Sequence, residues 1–586
     1  MLSDMRSPTL STVVKSISQG ASSLGWISRL SWLLLGFGLI IRSIQYGANR
    51  ALWADEAKLA LNLIDRSYGE LLQPLDYDQI APVGFLWAEK AVVQLLGPTE
   101  YALRLVPFVA GLASLLLFYR LAQVMLDCSV SSRLNEPPVP PQLGSEPHSG
   151  SNSEIPRSPF AFKSLYLLPV ALPVALVLFV CLPDLVYYAS EVKQYSSDVA
   201  IALLLSLVLL NVRRPALSRG QVAIASLVGA IALWCSHPAV LVLTGLELTY
   251  LVPALLHCWA NRPLSGSIQW GNRLVMYGIW GLSFAAFYGV TILNHPAEGT
   301  LTTSWDYTFP ESWLDLDWLF YAVKRFFRNP LRFPNGIDDV AIALFGLGCF
   351  VLARRSVGRL GFLLAPVGIT LAASYLGKYP FRDRLVLFLV PYFIVVLAIG
   401  AAYDWPMGRS PRATSHASSQ PSLSWRHRAL RQSGRGISAL LIIGLLSVPL
   451  WNGGQLLVSP SQFEDIRPLM EYVQTHRQLG DRLYVFQKSQ YQFEYYAPTY
   501  GFEPGDYVVS ADPDRVAERD FSAAKKAAYR QDLKQFQGEQ VWFLVADTSL
   551  REDTEFLLSQ LDALGQQRDQ LNSQYPASFV YLYDLT

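Results

Sequence analysis

The chain is crossed repeatedly by stretches of about 17–25 mostly apolar residues, the length at which an α-helix spans a bilayer's hydrocarbon layer. Eleven such stretches can be marked, near 24–46, 101–123, 163–184, 196–212, 220–236, 238–259, 274–293, 338–354, 360–376, 385–403 and 437–457. Backbone amides in lipid have no water to bond to, so each stretch is predicted to be a helix. The composition agrees: of 586 residues 51% are hydrophobic and 16% charged, where a soluble chain carries about a quarter charged. The prediction is a polytopic α-helical membrane protein. The net charge of +1 suggests no nucleic-acid partner. The five cysteines are dispersed, without a CxxC pair or a histidine at zinc spacing, and read as small apolar residues.

Lys and Arg in the connecting loops set the orientation. With residues 1–23 as a cytoplasmic tail, several basic loops fall inside: Arg213-Arg214 with Arg219, Arg262 with Arg273, Arg354-Arg355 with Arg359, and 404–436. The polar stretch 124–162 falls inside too, its Pro/Ser-rich part reading as disordered. This requires that 80–97 not span. With Glu89 and Lys90 mid-run, it is predicted to be an amphipathic helix lying on the membrane. Residues 47–100 then form a first outer loop. Residues 458–586 differ in kind, with strands expected at 483–486, 540–545 and 579–583 and helices at 465–476 and 554–564. They are predicted to be an extracytoplasmic α/β domain with a structural or acceptor-recognition role.

The polar clusters all fall on the outer side. Asp55-Glu56 opens the first outer loop; a helix N-terminus favours such acids, and so does acid–base chemistry. The next outer loop carries Glu191, Lys193, Tyr195 and Asp198, which also read as a cluster capping the following span. His237 sits at a third junction, where a lone histidine is more often structural than catalytic. Lys324-Arg325-Phe326-Phe327-Arg328 suits a helix lying against lipid phosphates. Lys378, Arg382 and Arg384 place three cations outside, against the positive-inside tendency, which invites anion binding. A site of acids and cations rimmed by Tyr and Trp fits a substrate with an anionic head, a lipid tail and hydroxyls.

Leu52-Trp53-Ala54-Asp55-Glu56 resembles the acidic motif of GT-C glycosyltransferases, in the family 39 branch of protein O-mannosyltransferases and bacterial aminoarabinose transferases. Ala81-Pro82-Val83-Gly84-Phe85-Leu86-Trp87, Glu100 to Leu105, Tyr188 to Ser196 and Tyr379 to Arg384 continue the pattern in order. Two departures stand out. Ile80-Ala81-Pro82 replaces a Lys-Pro-Pro triplet, and Lys193 stands where many members carry Arg. The resemblance implies a GT-C fold of about 11–13 transmembrane helices within 24–457. It implies transfer of a sugar from a polyprenyl-phosphate-linked donor to a hydroxyl of a lipid, glycan or protein, outside the plasma (inner) membrane. Asp55 is then the expected base and Glu56 its alternative or support. Glu191, Lys193, Tyr195, Lys378, Arg382 and Arg384 are expected to hold donor phosphate and sugar. The resemblance fixes no cofactor; a divalent cation on Asp55, Glu56 and His237 is an option, since family members differ on this. The rival readings are a transporter or flippase of lipid-linked saccharides, and a non-catalytic assembly protein.

Overall fold

The computed structural model describes residues 10–126, 167, 169–212, 217–259, 270–293, 308–403, 425–462, 464–511, 523–546, 551–573 and 578–586. Nearly all of the 124–162 loop, Arg213-Arg214, Arg262, Trp305 to Tyr307 and 404–424 lie outside them. The first helix runs Leu10–Gly47, so residues 10–23 extend the first span as helix.

Among the described residues, seven helical segments are long and apolar enough to cross a membrane: Gly25–Gly47, Leu105–Met125, Ala239–Leu256, Trp270–Thr291, Val357–Tyr375, Asp383–Ala401 and Ser438–Val458. An eighth is a pair, Ala171–Val180 and Pro183–Ser190, bent by 57°. Pro183 accounts for the break, since it offers no amide hydrogen and pushes Leu182 into extended backbone. Tyr195–Asn211 and Arg219–Cys235 are shorter apolar helices. Ile337–Arg355 is apolar between an acidic first turn and a basic last turn. Leu33, Ile224, Leu282, Leu440 and Ile443 are all more than half exposed. Such a ring of bare aliphatic side chains belongs in lipid. The molecule is a multi-pass helical membrane protein.

Glycines set the closest helix crossings. A Cβ on Gly400 would meet the Leu344 carbonyl oxygen at 1.9 Å, and one on Gly348 the Val396 oxygen at 2.2 Å. The helices Ile337–Arg355 and Val390–Ala401 therefore touch backbone to backbone.

The 80–97 segment forms the 14-residue helix Val83–Leu96, too short to span. Its two charges do not face water as expected. Lys90 is buried and its Nζ donates to the carbonyls of Leu63 (2.8 Å) and Ile64 (3.2 Å), near the end of the helix Ala54–Asp65. That helix end has orphan carbonyls and negative dipole charge, which draw the cation inward. Glu89 is fully buried beside it, and burial holds its carboxyl well above the usual range. The helix Leu316–Arg328 also differs from its prediction. Lys324, Arg325 and Arg328 pair with Asp339, Asp383 and Asp338 of the protein, while Phe326 and Phe327 enter the core. The large apolar side chains it exposes are Leu316, Phe320 and Tyr321.

The C-terminal domain is a five-stranded sheet in the order β2-β1-β3-β5-β4. Its strands are β1 (Arg482–Val485), β2 (Tyr507–Val509), β3 (Gln540–Val545), β4 (Gln566–Asn572) and β5 (Phe579–Asp584). β1 pairs in parallel with β2 and β3, and β5 runs antiparallel to β3 and β4. Alternation puts Leu483, Val485, Trp542 and Leu544 in one core and Tyr484, Phe543 and Val545 in the other. The domain is seated on the bundle. Tyr496 Oη accepts from Leu52 N–H (2.9 Å) and donates to Glu100 (3.0 Å). Arg467 reaches the Asn49 carbonyl (2.9 Å), and Gln45 exchanges two 2.8 Å bonds with the Ser461 backbone. This end of the bundle is called the upper end below.

Candidate active site

Trp53 is in extended backbone (ψ 168°) and Ala54 begins the next helix, so Asp55 and Glu56 occupy its first turn. A residue step of about 100° then sends the two carboxylates in different directions.

Glu56 points inward and is fully buried. Its Oε1 accepts from Arg104 Nε (3.0 Å) and Val192 N–H (2.9 Å), and its Oε2 from Arg104 (2.8 Å) and Arg50 (3.3 Å). Burial alone would raise its pKa; Arg104 and Arg50 override this and hold the carboxyl below the usual range. Arg50 also donates to Tyr187 Oη (2.7 Å) and the Ser190 carbonyl (2.6 Å). Arg104 donates to the carbonyls of Arg50 (2.6 Å) and Ala51 (3.1 Å). Glu56 thus knots together the end of the first span, the start of the second and the turn after the bent pair.

Asp55 points into a partly open space, its side chain 19% exposed. Lys193 Nζ stands 3.1 Å from Oδ1 and an Arg384 terminal nitrogen 2.8 Å from Oδ2. Gln79 joins them, its amide nitrogen donating to Asp55 Oδ1 (3.3 Å) and its oxygen accepting from Lys193 (2.5 Å). Burial opposes the charge on Asp55, yet Lys193 and Arg384 hold its carboxyl far below the ordinary range. Lys193 is depressed by burial, with Asp55 restoring part of its charge preference. The Arg384 guanidinium lies 5.7 Å from the Trp53 ring and 5.4 Å from the Tyr195 ring. Trp53 Nε1 donates to Glu191 Oε1 (3.3 Å). Glu191 is fully buried, and burial followed by the nearby Glu56 charge pushes it up to about 7.

Four distant segments thus meet on Asp55: the helix Ala54–Asp65, the Tyr77–Gln79 turn, the 191–195 turn and Arg384. Tyr77 and Asp78 have left-handed φ of 64° and 55°, a tight reversal that non-glycine residues seldom adopt. It delivers Gln79 to Asp55 while Tyr77 packs 4.6 Å from Tyr491 of the C-terminal domain. Lys58, one helical turn beyond Asp55, lies 4.9 Å from the same Tyr491 ring.

The other expected site residues lie elsewhere. Arg382 pairs with Asp383 (3.2 Å), which Arg325 also grips with two 2.9 Å bonds. Asp383 has φ 48°. Lys378 is exposed, and its backbone amide closes the preceding helix on Ala373. His237 packs against Phe287, ring centroids 5.8 Å apart. Among the described residues no three His, Cys, Asp or Glu side chains gather to hold a metal. The set Asp55, Glu56 and His237 does not fit a cation, because both Glu56 oxygens are taken by guanidiniums and an amide.

Sequence reasoning missed Arg50, Arg104 and Gln79 as site residues. Arg50 follows the first span by a few residues, and Arg104 precedes the second. A fully buried carboxylate between them needs two such partners. Gln79 carried no signal, since a neutral amide in a polar loop is ordinary.

No protein-family model matches the chain, and no curated protein does. Among solved structures, ArnT from Cupriavidus metallidurans bound to undecaprenyl phosphate is 11% identical, with TM-score 0.48, covering 95% of this chain and 98% of that one. The same protein in its apo state is 12% identical at TM-score 0.48, covering 96% and 98%. The archaeal oligosaccharyltransferase AglB from Archaeoglobus fulgidus, in complex with an inhibitory peptide and a dolichol-phosphate, is 9% identical at TM-score 0.47, covering 95% and 74%.

Proposed function

We propose that the chain transfers a sugar from a polyprenyl-phosphate-linked donor to the hydroxyl of a lipid, glycan or protein acceptor, on the outer side of the plasma (inner) membrane. The observation that carries this reading is one carboxylate, Asp55, between two cations, Lys193 and Arg384. Sugar transfer from a lipid phosphate asks for both. The acceptor oxygen bonds to the anomeric carbon and loses its proton to Asp55. The bond from that carbon to the phosphate oxygen breaks, and its electron pair leaves with the phosphate. Lys193 and Arg384 neutralise the growing charge. A single displacement inverts the anomeric centre. An arriving phosphate competes with Asp55 for the same cations, which frees the carboxylate and restores its basicity. Tyr195 and Trp53 hold the Arg384 plane, and the C-terminal domain, through Tyr491, roofs the acceptor side.

The test is mass analysis of glycolipids and glycoproteins from cells carrying wild type, Asp55→Asn or no gene. The expected outcome is a product that the wild type restores. Asp55→Asn should lose it by about 10²–10⁴-fold in rate while still inserting in the membrane. Near wild-type product from Asp55→Asn would sink the base assignment.

Glu191 supports a second reading of the base. Its carboxyl, pushed up to about 7, is matched to proton transfer near neutrality. The pH profile separates the two. With Asp55 as base, the rate is flat from about pH 5 upward; with Glu191 it climbs until the pH passes about 7.

A further inference from the structure

A cavity of about 540 Å³ opens at the upper end beside the bent helix pair, lined in part by Asp184, Tyr188, Arg328, Arg332, Val448 and Asn452. It borders the candidate site through Tyr187, which accepts from Arg50, and Tyr188, which packs on Tyr195, but no residue bonded to Asp55 lines it. Arg332 Nε donates to Asp184 (2.6 Å) and Arg328 Nε to Asp338 (2.6 Å). Both carboxylates are buried, and Asp338 is itself fixed by the amides of Gly336 and Asp339. Each guanidinium is thus tethered by its inner nitrogen. Among the described residues neither makes another hydrogen bond, and the side chains are 44% and 46% exposed. The terminal nitrogen pairs are the part left over. Arg332 holds this place with a left-handed φ of 57°, a backbone that non-glycine residues seldom adopt without a reason. Each guanidinium is balanced by one carboxylate, so what the cavity offers is the outward-facing terminal nitrogens.

Planar forks with free outer nitrogens suit phosphate oxygens, and anchoring carboxylates fix their aim. Val448 and Asn452 of the lining come from the apolar helix Ser438–Val458, whose neighbouring Leu450 and Trp451 are bare. An ion with an acyl chain beside it suits the guanidiniums and this bare helix surface together. We propose that this cavity is an anion site, separate from Asp55, for a phosphate ester such as a phospholipid headgroup. The proposal does not depend on sugar transfer.

Native mass spectrometry of the full chain, released from detergent containing phosphatidylglycerol or phosphatidylcholine, tests it. Wild type should retain phosphatidylglycerol with at least about 10-fold preference. The double variant Arg328→Gln, Arg332→Gln should lose that preference. Val448→Trp, which fills the cavity without touching a charge, should lose it too, with the unfolding temperature reporting that the protein remains folded. Displacement of the lipid by inorganic phosphate would identify phosphate alone as the recognised group; resistance to it would assign recognition to headgroup and chain together. Equal retention by wild type and both variants, or no preference and no phosphate binding in wild type, overturns the proposal.

Discussion

Asp55 and Glu56 are joined by one peptide bond, yet one is 19% exposed between a lysine and an arginine while the other is sealed between two arginines. Their substitutions should therefore fail differently. Glu56→Ala leaves Arg50 and Arg104 buried without their shared counter-charge. Loss of one member of a buried pair typically costs about 3–5 kcal/mol, so the variant should unfold well below wild type in a thermal scan in detergent. A scan unchanged within error would show that Glu56 is not the knot described above. Asp55→Asn should lose activity and keep most of its stability. Glu191 gives a pH signature. Its folded value is raised to about 7 from 4.5, so between these the unfolded chain releases a proton that the folded one keeps. Stability from this group therefore falls as pH rises from about 4.5 to 7 and then levels. Asp55 has the opposite sign. Its folded value is depressed, so its contribution is full above about pH 4 and lost only in stronger acid. Glu191→Gln should flatten the fall between pH 4.5 and 7 seen in denaturation curves, and an unaltered slope would contradict the burial argument.

At the scale of elements, helix contacts decide where the side chains arrive. Arg384 lies at the head of Asp383–Ala401, and that segment is held by the Gly348 and Gly400 crossings. A methyl group at Gly400 has to displace a neighbouring carbonyl, so Gly400→Ala should destabilise by about 1–3 kcal/mol. Gly346→Ala, with nothing within 4 Å, should be close to neutral. Equal unfolding temperatures for the two would refute the close-packing account. The C-terminal sheet shows what sequence can and cannot reveal of an element. β1, β3 and β5 are buried apolar runs, and their positions were readable. β4, Gln-Gln-Arg-Asp-Gln-Leu-Asn, is a mostly exposed polar edge strand without an apolar signal, and β2 is three residues long. Edge strands exist because a neighbour offers hydrogen bonds, a fact no local pattern records. Likewise Lys90, mid-run in an apolar stretch, predicts a wet helix face. Only the docked end of Ala54–Asp65 explains why that lysine is buried.

For the whole molecule, the question is which way the bundle faces. The basic loops predict that the upper end, with Asp55 and the C-terminal domain, is extracytoplasmic. Gly69 is exposed on this end's first loop with room around it and ordinary helical φ. Gly69→Cys should react with an impermeant thiol reagent on intact cells, above the background of the parent chain. Labelling only after permeabilisation would reverse the orientation and with it the side on which transfer is proposed.

Sequence alone determined the helical, membrane-spanning class, because segment length and hydrophobicity are local quantities that lipid reads directly. It also determined the presence of an α/β tail and drew attention to Asp55, Lys193 and Arg384. It did not determine which charges meet. Lys378, Arg382 and Arg384 are close in the chain, but Arg384 reaches Asp55 while Arg382 pairs with Asp383. Tertiary structure seats Glu56 between Arg50 and Arg104 and brings Gln79 to Asp55. Ion pairs act within a few ångströms, and the approach of residues 55, 79, 193 and 384 to that range follows from how the helices pack.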